Sequence, residues 1–311
     1  MSTAPAAGPA TSSVLTEAEW STLQAQHELR VDQWTGGWRE RKQQGNHHPI
    51  DDFLFTYYPT RPTRLRRWHP GIGVSLTGPG ARQFLSHKGY VEDSTTGAVV
   101  LEPQVFRHRG EGAKWIENLL SRTVNRPAAF GCFGLHVWAL VYGQGANEVR
   151  HEDYPLRLTP TQIADTVQSQ GLRCTHVDAF RFFTDSARPL NPHQLTRDSQ
   201  PEFEQGGCLH ANMDLYKWAS KLSPVINSDL VANCFELARD VRTLDMASAP
   251  YDLSGIGVLP VQVETVAGRA AFVQRQREFS DRASILRVEL LQAVRAFLVV
   301  LEMPSTTCST A

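Results

Sequence analysis

Apolar residues return every three or four positions over several long stretches of this chain, a spacing that predicts a protein built mainly from helices. Thr16 followed by Glu19 is a capping box, and Trp20, Leu23, His27, Val31, Trp34 and Trp38 continue from it along one face. Fraying is expected at Gly36 and Gly37. Residues 112–124 form a second amphipathic stretch with Trp115, Leu119 and Leu120 on its apolar side, closed by Pro127. Residues 130–142 are apolar all round, the pattern of a buried helix, and His136 is their only ionisable group. Residues 206–221 start after two glycines; here Leu215, Trp218 and Leu222 mark one stripe, while His210, Asp214, Lys217 and Lys221 share another face. Asn227 or Ser228 caps the next helix. Leu230, Val231, Cys234, Leu237, Ala238, Val241 and Leu244 form its buried side, and Glu236, Arg239, Asp240, Arg242 and Asp245 read as an ion-paired, solvated one. Phe272 to Leu301 carries one long C-terminal helix, or two joined near Asp281.

Alternation with period two appears in two places. Residues 73–101 read as a short β insertion. Residues 172–184 read as a strand that puts Cys174, His176, Asp178, Phe180 and Phe182 on one side. The fold class expected is mainly α, a single helical domain over 14–303 with that β insertion (α+β), between disordered tails at 1–13 and 304–311.

Charge narrows the function. Thirty-one basic residues against 32 acidic ones leave a net charge of −1, which excludes the broad positive field of a general nucleic-acid binder. Contact with DNA would have to be local, and one basic patch is available: Arg61, Arg64, Arg66 and Arg67 beside Trp68. These arginines are expected either to hold phosphates or to pair with Asp51, Asp52 or Glu92. Five cysteines without a C-x-x-C pair predict free thiols in a reducing compartment, with Cys132, Cys174 and Cys234 buried. The N-terminal stretch has no basic region or apolar core of a signal peptide, and the apolar stretch at 290–301 is too short to span a bilayer. A cytoplasmic protein without a membrane partner is the expectation.

The candidate chemistry lies in histidines and carboxylates. His136, His176 and His210 with Asp178 supply the residue types of a two-histidine, one-carboxylate centre for a divalent metal such as iron, acting on a small molecule. Without a metal, Asp178 or Asp214 beside His176 and His210 would serve as general base or stabilise a cationic transition state. Adjacent His47 and His48 read as loop residues. First-shell groups must meet around one substrate, so a shared site requires the three imidazoles to lie within about 12 Å of one another.

Five runs carry a resemblance. They are residues 51–58 (DDFLFTYY), 65–71 (LRRWHPG), 131–136 (GCFGLH), 178–184 (DAFRFFT) and 213–219 (MDLYKWA). In these the chain resembles a family of actinobacterial proteins commonly labelled 3-methyladenine DNA glycosylase, over about Val14 to Arg282. The resemblance implies hydrolysis of the N-glycosidic bond of an alkylated purine in DNA. In that case a flipped base would stack on aromatic side chains while Asp178 or Asp214 stabilises the oxocarbenium ion. Arg64, Arg66, Arg67 and Trp68 would then line the rim of the same cleft. A third expectation is a helical binding protein without chemistry, in which the histidines serve the core or the surface.

Overall fold

The computed structural model describes residues 13–144 and 154–303, and within them the chain is mainly helical with one small sheet. Of the tails expected at 1–13 and 304–311, only Ser13 is among the described residues, where it opens strand β1 (Ser13–Leu15).

The capping box at Thr16 starts α1 (Glu17–Gln43), which runs through Gly36 and Gly37 without the expected fraying. Two internal glycines cost a helix about 1 kcal/mol each. Packing on both sides of them offsets this: Trp34 lies 5.0 Å from Phe235 and Trp38 5.5 Å from Phe55. Single turns α2 (Phe53–Tyr57) and α3 (Pro62–Arg66) follow. Strands β2 (Val74–Leu76), β3 (Tyr90–Glu92) and β4 (Val99–Leu101) then form the predicted insertion, with a 3-10 segment at Pro79–Ser86 between β2 and β3. The sheet order is β1-β2-β4-β3; β1 lies parallel to β2, so the insertion borrows a strand from outside its own range.

After a second 3-10 segment, Pro103–Arg109, come α4 (Gly110–Val124), α5 (Leu135–Trp138), α6 (Pro160–Gln170), α7 (Val177–Phe180) and α8 (Gln200–Phe203). The core of the helical layer is α9 (Leu209–Leu222), α10 (Ser228–Ala247) and α11 (Val266–Glu302). Asn227 caps α10 through Oδ1, which accepts the Leu230 N–H at 2.8 Å. Helix α11 is continuous over 37 residues and packs on α4, α9 and α10. Helix α9 lies among these elements with 11 of its 14 residues buried, so its polar side chains must find partners inside the protein.

Two expectations about the ends of short elements do not hold. Residues 130–142 are mostly turns, with one helical turn at α5. Phe133 at φ 49° and Gly134 at φ 73° sit in the left-handed region, which no helix can pass through. Residues 172–176 are irregular and α7 follows, so His176 and Asp178 do not share the face of a strand. Asn191 takes the place of a neighbouring strand, with its Oδ1 accepting the Cys174 N–H at 2.8 Å and its Nδ2 donating to the Cys174 carbonyl at 3.1 Å. Among the described residues, no helix is long and apolar enough to cross a membrane.

Candidate metal centre and buried charge network

Helix α9 brings His210 between His136, on the single turn α5, and His176, which caps α7. Its ring lies 4.5 Å from that of His136, edge to face, and 5.5 Å from that of His176. The three imidazoles therefore meet in one site. Their partners divide them into two halves.

In the first half, His136 Nε2 donates to Asp245 Oδ1 at 2.8 Å, with both side chains buried. Arg242 takes the other oxygen, Asp245 Oδ2, at 2.9 Å. The guanidinium is itself fixed by the Pro49 carbonyl and lies 3.7 Å from the centroid of the Phe53 ring. On its far side, His136 Nδ1 faces the Cys132 thiol at 3.7 Å. Burial works against a charged His136, but the Asp245 carboxylate overrides it and raises its pKa to about 10. Burial likewise opposes an ionised Asp245, yet His136 and Arg242 hold it well below the usual carboxylate range. His210 has no hydrogen-bond partner among the described residues; burial first, and then the neighbouring His136 charge, lower its pKa to about 3. It is neutral at pH 7.

One ligand atom each from His136, His210 and Asp245 lie within 4.8 Å of one another. Ligands sharing one ion at about 2.1 Å stand roughly 3–4 Å apart, so small rotamer shifts close this set. Two imidazoles and one carboxylate suit iron(II) or zinc and leave coordination positions open. Arg242 and Cys132 then act from outside the ligand set, fixing the carboxylate and the imidazole plane.

The second half is a chain of alternating charge. His176 Nε2 donates to Asp214 Oδ2 at 3.3 Å and lies 3.8 Å from Glu204 Oε2, while its buried Nδ1 has no partner among the described residues. Asp214 Oδ1 accepts from Tyr58 Oη at 2.9 Å and Asp214 Oδ2 from Lys217 Nζ at 2.9 Å. Lys217 also donates to Asp178 Oδ2 at 2.7 Å, and Arg197 to Asp178 Oδ1 at 2.6 Å. Burial would raise the pKa of Asp214, but the His176 hydrogen bond and the Lys217 charge hold it well below its ordinary value. Burial pushes the Glu204 carboxyl up.

The expected ligand set of His136, His176, Asp178 and His210 is thus redistributed. Among the described residues, the group able to share one ion is His136, His210 and Asp245. Both Asp178 oxygens are committed to cations and His176 is committed to carboxylates. Trp138 is core, its indole N–H donating to the Ser248 carbonyl at 2.9 Å. Cys174 and Cys234 are buried as expected, whereas Cys132, on the turn beside His136, is only half-buried.

The arginine patch has other partners. Arg66 binds Asp32 at 3.1 Å and Glu28 at 2.8 Å, both on α1, in place of the acids expected. Arg64 donates to the carbonyls of Ser220 and Ser223 at the C-terminal end of α9, where a cation complements the helix dipole. That end lies about 9 Å along the helix from Asp214, by its rise per residue. Trp68 is 3% exposed and packs edge-on against Phe84 at 5.9 Å, so its ring is not offered to a base. Arg67 is exposed beside Arg66.

The fold and site together define a mainly helical protein with a buried histidine and carboxylate centre. Compared with known proteins, the chain matches no family model, no curated protein and no solved structure.

Proposed function

We propose that this chain is a metal-dependent enzyme acting on a small molecule, with His136, His210 and Asp245 as the ligands of one divalent ion. The observation that carries the reading is the convergence of these three side chains, one of them a neutral imidazole without a hydrogen-bond partner among the described residues. An ion there would supply a Lewis acid and lower the pKa of a bound water. The protein's own part is to hold the ligands in place through Arg242, exclude bulk solvent, and keep a third imidazole, His176, between the carboxylates of Asp214 and Glu204.

The family resemblance supports a second reading, N-glycosidic hydrolysis in DNA, and one feature favours it: Asp214 is kept ionised in a buried setting, as stabilisation of an oxocarbenium ion requires. One experiment separates the two. Purified protein is analysed for bound metal and incubated with DNA containing methylated purines while free base is assayed. The metal reading expects about one ion per chain, lost in His210→Ala and Asp245→Asn variants that remain folded, and no base release. Base release by metal-free protein that disappears in Asp214→Asn or Asp178→Asn would replace it with the repair reading.

A further inference from the structure

The charge network ends at a hollow of about 350 Å³ lined by Trp115, Ile116, Arg197, Lys217, Trp218 and Lys221. Two indoles form its aromatic wall, Trp115 and Trp218, with centroids 5.2 Å apart. The ammonium groups of Lys217 and Lys221 lie 4.5 and 5.1 Å from the Trp218 centroid. Lys217 and Arg197 are bound from behind by Asp178 and Asp214. Lys221 has no carboxylate partner among the described residues, and partial desolvation of its ammonium together with the Lys217 charge lowers its pKa. The Trp218 indole N–H is buried and has no acceptor among the described residues.

We propose that this hollow binds the anionic group, a phosphate monoester or a carboxylate, of a small-molecule substrate whose apolar part lies against Trp115. Surplus positive charge selects the anion, and the indole wall selects a molecule with a flat or apolar body. Lys217 links the hollow to the buried site, since its ammonium touches Asp214, which in turn binds His176. The inference rests on the reading of the chain as a small-molecule enzyme, but the binding itself needs no metal.

The test is a tryptophan-fluorescence titration of the full chain with inorganic phosphate and, separately, with benzoate, at ionic strength held constant with potassium chloride. Saturable quenching by either anion at or below about 10 mM is expected, and the stronger of the two shows which group the hollow takes. Lys221 is exposed, so Lys221→Gln should fold normally and weaken binding about tenfold. Trp115→Phe should diminish the signal. Stripping the protein with a chelator should leave the affinity unchanged, which keeps this result separate from the fate of the metal reading. No saturation, an equal response to chloride, or unchanged affinity in Lys221→Gln would overturn the proposal. So would loss of binding on chelation, which would place the anion on the metal. A short single-stranded oligonucleotide that binds where neither small anion does would overturn it in favour of DNA.

Discussion

Binding of a divalent ion at His136, His210 and Asp245 must expel the proton that Asp245 holds on His136, so metal affinity should rise with pH. His136 has its pKa raised to about 10, while that of His210 is lowered to about 3 and Asp245 is ionised throughout the neutral range. At pH 7 one proton therefore competes with the metal, and only one. With the His136 value about three units above pH 7, competition lowers the affinity about a thousandfold from its alkaline limit, or about 4 kcal/mol. Each unit of pH between about 6.5 and 8.5 should strengthen binding about tenfold. Isothermal titration with zinc in buffers of different ionisation enthalpy measures this directly, with about one proton released per ion. Asp245→Asn should flatten the pH dependence as well as weaken binding, because the imidazole loses the carboxylate that keeps it charged. A wild-type affinity that is flat over this range, or binding without proton release, would refute the assignment of His136 as a ligand.

Three other outcomes follow from the same geometry. Asp214→Asn leaves buried Lys217 short of a counter-charge and should destabilise the protein by about 3–5 kcal/mol in urea unfolding at pH 7; a loss below about 1 kcal/mol would show that the ammonium finds another partner. In chelator-treated protein the His136–Asp245 pair contributes stability that is full below pH about 6.5 and lost as pH rises toward about 10, up to about 5 kcal/mol. His210 and His69, with folded values of about 3, act oppositely and withdraw stability as pH falls below about 6.5. Melting temperature against pH should then peak near 6.5 (the ordinary histidine value, about 6.5), and a monotonic curve would contradict this balance. Finally, Arg66→Ala should change stability by no more than about 1 kcal/mol, since its ion pairs are at the surface. It should leave the salt dependence of any DNA binding unchanged, whereas a slope lowered by about one would restore Arg66 to a phosphate contact.

What the sequence makes legible is whatever repeats over enough residues. Helix α9 spans 14 residues, long enough for His210, Asp214 and Lys217 to be placed on one face, and the Lys217–Asp214 bond is there at 2.9 Å. Elements α5 and α7 have four residues each, and a four-residue turn has no period to read. The fold class expected, mainly α with a small β insertion, therefore agrees with the structure even though the helix around His136 is a single turn and His176 is not on a strand. Asp245 was concealed for another reason. On α10 it belongs with charged residues that pattern assigns to solvent, yet Arg242 and Asp245 are 5% and 1% exposed. The turn at 131–134 supplies the partner that period alone cannot: it delivers His136 to that side of α10, across 109 residues of chain. Tyr58 and Glu204 were missed because an aromatic in an aromatic-rich run and an acid in a polar loop carry no pattern that marks them as buried.

The way these groups are distributed bears on function more than any one of them. Burying an ion pair gains little, since removal from water costs each charge several kcal/mol and a hydrophobic replacement of similar volume is often as stable or more so. A helix such as α9, enclosed by α10 and α11, would be held at least as firmly if the whole set of buried charges were replaced together by apolar residues of similar volume. The chain instead encloses His136, Asp245 and Arg242 on one side of His210, and His176, Asp214, Glu204 and Lys217 on the other. Each side is internally paired, while the imidazole between them is neutral and His176 Nδ1 has no partner among the described residues. Stability alone gives no reason for enclosing a neutral imidazole between two sets of paired charges. On the metal-enzyme proposal, the imidazole between the two paired halves, and not the number of ion pairs around it, is the group that an ion would complete.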